Sequence, residues 1–75
     1  MGLRGVILIS TKVGAEVDLS VRVSRLDGVV ESYPVYGEYD CIVIFDELDE
    51  GGLMNLVGTI RSIPGVLRTV TLVGY

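Results

Sequence analysis

A chain of 75 residues is one domain with no room for a second, and a domain this short buries only about 60% of the surface its unfolded chain exposes. Six Lys and Arg against ten Asp and Glu leave a net charge of −4, which argues against the basic footprint of a nucleic-acid binder. The absence of His removes the commonest general base and metal ligand, and a single Cys rules out an internal disulfide or a Cys-based metal site.

What remains is strongly apolar: 49% of the residues are hydrophobic, more than one small core can hide. The simplest resolution is self-association, with one face of the fold covered by a copy of the chain. No apolar run approaches the ~20 residues of a membrane span. The first nine residues are too short and too soon followed by polar ones to be a signal peptide. A lone Cys fits a reducing compartment, so a cytoplasmic location is expected.

In chain order, Val6-Ile7-Leu8-Ile9 is β-branched and apolar on both faces, the pattern of a central strand. Residues 15–26 read two ways. Ala15, Val17, Leu19, Val21 and Val23 alternate with polar residues, as in a strand. A helix with Ala15, Leu19, Val23 and Leu26 on one face fits as well. The length and the stop signal Asp27-Gly28 favour the helix, which leaves Val17 and Val21 off the core side and open to contacts in an assembly.

Residues 29–36 form an expected strand containing Pro34, which belongs at a sheet edge because proline cannot donate to a ladder. A tight turn at Gly37 leads to a second central strand over 40–45. The acidic run 46–50 precedes a helical pattern, Leu53, Leu56, Val57, Ile60 and Ile63, with Asp49 as its expected cap. That run reads as a solvated helix start rather than a metal site. Pro64-Gly65 ends the helix, and residues 66–73 form a more polar last strand.

The order strand, helix, strand, strand, helix, strand matches the split βαβ, or ferredoxin-like, arrangement: an α+β fold with an antiparallel four-stranded sheet. The first and third strands take the centre, and both helices cover one face. The other face stays apolar and is the expected association surface.

No catalytic constellation is present. Without His there is no Ser-His-Asp or Cys-His pairing, and Gly51-Gly52 follows acids that would repel a phosphate. An enzyme is not expected, and no cofactor or metal is implied. Cys41 opens a strand that should be buried, where it serves as a small apolar packer. Thr69 and Thr71, two apart, point to one side of the last strand. The stretch 33–40 gathers Tyr33, Tyr36, Tyr39, Glu38 and Asp40 around Gly37, and polar groups at a turn against an apolar body suit a small-ligand site. The plainer account is a hairpin with half-buried tyrosines.

Taken together, Gly28-Val29, then Val35-Tyr36-Gly37-Glu38-Tyr39-Asp40-Cys41-Ile42-Val43, then Leu53 through Ile63-Pro64-Gly65-Val66, then Thr69-Val70-Thr71 resemble the effector-binding domain of the Lrp/AsnC family, the RAM domain. The resemblance covers essentially the whole chain, 1–75. It implies sheets packed face to face in a dimeric α/β barrel, dimers assembling further, often into octamers, and an amino acid or related small molecule bound between dimers near the turn after the second strand. By position it makes Tyr36, Gly37, Glu38, Tyr39 and Asp40 the ligand loop. Thr69 and Thr71 match the hydroxyl-bearing strand facing the site.

The family's regulators carry an N-terminal helix-turn-helix, whereas this chain begins at its first strand. The expectation is therefore a stand-alone module with no DNA-binding domain and no direct nucleic-acid or membrane contact. It would act on amino-acid-responsive transcription indirectly. The alternative is a structural module that co-assembles with full-length regulators and binds no ligand. Amino-acid-binding ACT domains share the strand order and differ in where the ligand loop lies.

Overall fold

The computed structural model describes residues 2–74, so Met1 and Tyr75, the ends of the expected 1–75 domain, lie outside the described residues. Strand β1 (Leu3–Thr11) is followed by helix α1 (Glu16–Val23), strands β2 (Val29–Pro34) and β3 (Cys41–Leu48), helix α2 (Glu50–Arg61) and strand β4 (Val66–Gly74). The sheet is antiparallel in the order β2-β3-β1-β4, so the two most apolar strands are central as expected. This is the ferredoxin-like α+β fold.

Period-two alternation sorts the sheet into two faces. Ile7 and Ile9 on β1, and Cys41, Val43 and Phe45 on β3, are buried with Leu19 and Val23 of α1 and Leu56 and Ile60 of α2. Both helices therefore cover one face. Val6, Leu8, Ile42 and Ile44 point the other way and are only half-buried. Tyr33, Leu72 and Val70 pair with them in register, so that face is a continuous apolar surface.

The ambiguous stretch 15–26 is a helix, but a shorter one. It stops at Val23, and turns over residues 24–28 carry the chain into β2, with Gly28 at φ +87°. Tertiary contact decides between the two periods. Leu19 and Val23 are buried against the sheet, while Val17 and Val21 stay exposed.

Helix α2 begins where its cap predicts: Asp49 Oδ1 accepts the Gly52 N–H at 2.6 Å. Asp49 and Leu48 crowd Gly52, so a Cβ there would press on both.

The hairpin differs from expectation. β2 stops at Pro34, and β3 starts at Cys41. The connection is a six-residue loop over 35–40, wider than a tight turn at Gly37, although Gly37 does take φ +122°. The reason is Pro34, which pairs with Cys41 and ends the ladder. The loop is closed at its base by the Val35 N–H donating to the Asp40 carbonyl, 3.0 Å.

Candidate functional site

Asp40 is the joint of this end of the molecule. Its N–H donates to the Ile9 carbonyl at 2.8 Å, its carbonyl accepts from Val35, and its Oδ2 accepts the Thr11 N–H at 2.8 Å. One residue thus ties the end of β1, the end of β2 and the start of β3. Thr11 itself is buried, and its hydroxyl donates to the Lys12 carbonyl.

Beside this joint lies an open groove of about 370 Å³, within the range of small-ligand sites. One wall is the loop: Pro34, Val35, Tyr36, Gly37 and Asp40. The other is the turn before α1 and its first residues: Val13, Gly14, Glu16 and Val17. Val13 and Tyr36 stand fully exposed at the two rims, 104% and 105%. Gly14 and Gly37 both have positive φ and open space where a Cβ would stand. Two carboxylates, Glu16 and Asp40, among apolar rims suit a cationic group such as an ammonium.

The candidate residues do not all meet here. Tyr36, Gly37 and Asp40 line the groove, whereas Glu38 is exposed on the loop outside it. Tyr39 turns toward the far edge of the sheet. Its hydroxyl accepts from the Arg68 guanidinium at 3.1 Å, and the Arg68 charge sits 5.5 Å from its ring centroid, a cation–π geometry.

Thr69 and Thr71 pair with Ile9 and Ile7, so they stand on the helix-covered face, separated from β3 by β1. Within one chain they do not reach the groove. The groove's second wall was not anticipated from the sequence; the exposed apolar Val13 beside Gly14 was the only local signal for it.

No family model matches the chain, and no curated protein does. Among solved structures, it is 30% identical to TTHA0845 from Thermus thermophilus, with a TM-score of 0.90 over 97% of this chain and 92% of that one. It is 30% identical to FFRP-DM1, with a TM-score of 0.88 over 97% of this chain and 99% of that one. Escherichia coli AsnC superposes with a TM-score of 0.82 at 23% identity.

By fold, the chain belongs with the Lrp/AsnC proteins. It covers half of the AsnC chain and nearly all of FFRP-DM1. In this Lrp/AsnC-like frame, the groove occupies the end where β1 finishes and β3 starts. No helix among the described residues is long and apolar enough to cross a membrane.

Proposed function

We propose that this chain is an effector-binding (RAM-type) module of the Lrp/AsnC family. In this reading it binds an amino acid or related small molecule and works as a regulatory rather than a catalytic protein, acting on transcription indirectly in the cytoplasm. The observation that carries the reading is the groove at Asp40, where Tyr36, Gly37 and Asp40 converge with the start of α1. Asp40 and Glu16 would receive the ligand's ammonium, and backbone donors around Gly37 its carboxylate.

The apolar face of Val6, Leu8, Ile42, Ile44 and Leu72 would close against a second copy to form a dimeric α/β barrel. Further assembly, up to an octamer, would set another copy beside the groove. Such a neighbour is the means by which Glu38, Tyr39, Thr69 and Thr71 join the ligand site, since one chain keeps them apart.

Isothermal titration with each common amino acid tests the reading. Heat with one or a few of them, lost in Tyr36→Ala, supports it. No response at millimolar ligand from the assembled protein overturns it.

One observation favours a second reading, a co-assembly module without a ligand. The Asp40 carboxylate is already engaged by Thr11, so it has a structural task in the unliganded chain. Mixed oligomers with a full-length Lrp/AsnC regulator, formed with no amino acid effect, would select that reading.

A further inference from the structure

The outer side of α1 carries a pattern that its own chain does not use. At about 100° per residue, Leu19, Ser20 and Val23 face the sheet, while Val17 and Val21 fall on the solvent side. They are one turn apart and 58% and 49% exposed. Around them, the charged residues of the stretch 12–27 are Lys12, Glu16, Asp18, Arg22, Arg25 and Asp27. Of these, Asp18 and Arg22 flank the two valines on the outer face of α1, whereas Lys12, Arg25 and Asp27 lie beyond the ends of the helix and Glu16 falls on the sheet side with Val23. Turned end for end, that outer face sets Asp18 against Arg22 and Val17 against Val21. All the charged residues of the stretch are exposed except Glu16, which is half-buried at the groove.

A stretch that complements itself when turned end for end is what a two-fold contact requires. We propose that α1 is a contact between two copies of this chain, packed antiparallel about a two-fold axis with Val17 and Val21 at its centre. A parallel arrangement would set like charges together, which costs affinity and suppresses that register. The occupant is a second copy because the opposite charges that complement Asp18 and Arg22 beside the two valines are the ones α1 itself carries, in reverse order.

The contact lies on the side of the molecule opposite the open sheet face, since α1 covers the other face of the sheet. It stands without the sheet-face dimer proposed above. If both form, two different two-folds on one chain link dimers into a ring or an extended chain.

Charge reversal separates this contact from its alternatives. Within α1, Asp18 and Arg22 are four residues apart and can also attract each other in one chain, so the test must distinguish the two cases. Asp18→Arg alone leaves both positions positive, and Arg22→Asp alone leaves both negative. The masses of each variant and of their equimolar mixture are read by light scattering and native mass spectrometry, with circular dichroism confirming the fold.

Each variant alone is expected to drop to a smaller species than the wild type. The mixture is expected to regain the larger one, with both variants in equal share, although neither chain has an internal pair. Val17→Ser with Val21→Ser, which changes no charge, is expected to give the same drop.

Three results overturn the proposal: a monomeric wild type, variant masses equal to the wild type's, or a mixture that stays dissociated. Leu8→Glu on the sheet face and amino acid titrations are read separately. Failure of the α1 contact is therefore distinct from failure of the dimer or of the ligand site.

Discussion

Asp40 and Thr11 meet through a carboxylate–backbone bond, Asp40 Oδ2 accepting the Thr11 N–H at 2.8 Å across 29 residues of sequence. The bond anchors the loop over 35–40 to the end of β1, and removing it leaves a part-buried N–H without a partner. Asp40→Ala is expected to cost about 1–3 kcal/mol. In a domain of this size each kcal/mol lowers the melting temperature by roughly 4–8 °C. Asp40→Asn keeps an acceptor oxygen and is expected to lose less. Thermal melts of the two variants check the order, and equal losses would show that the charge rather than the bond matters.

The open sheet face yields a second expectation. Leu8 and Ile42 sit opposite each other in register at its centre, both half-buried in a single chain. A charge at Leu8 would have to be desolvated in a face-to-face dimer but stays wet in a monomer. Leu8→Glu is therefore expected to give a folded chain of lower mass. Sedimentation at several concentrations reads this directly.

Cys41 is fully buried, with its Sγ 3.0 Å from the Ser20 hydroxyl and 3.7 Å from that of Ser32. Ser20 spends its own proton on the Glu16 carbonyl, 2.7 Å away, so the thiol donates to Ser20. A thiol reagent is expected to leave Cys41 unmodified in the native protein and to react on addition of denaturant. Rapid labelling without denaturant would show that the core opens locally.

Asp49 offers a local test of helix α2, because its carboxylate caps the Gly52 N–H. Asp49→Ala is expected to lose about 1 kcal/mol, and Asp49→Ser to recover most of it. Urea melts measure both.

Much of the architecture can be read from local chemistry. Apolar strands at 6–9 and 41–45, the cap at Asp49 and the turn glycines Gly28 and Gly65 just before β2 and β4 act over a few residues, so the sequence alone establishes the element order and which strands are central. The residue types at the loop, Tyr36, Gly37 and Asp40, are legible for the same reason.

Periodicity alone leaves residues 15–26 open, because both periods fit; length and the Asp27-Gly28 signal favour the helix, and the structure has one, ending earlier at Val23. Burial of Leu19 and Val23 against the sheet is the physical reason. The groove depends on the Val13–Gly14 turn approaching a loop more than twenty residues away, a meeting that no local pattern encodes. Thr69 and Thr71 show the division most clearly. Their spacing alone puts them on one side of β4. Pairing with Ile9 and Ile7 decides that this side faces the helices, since register is a long-range choice made by the buried face.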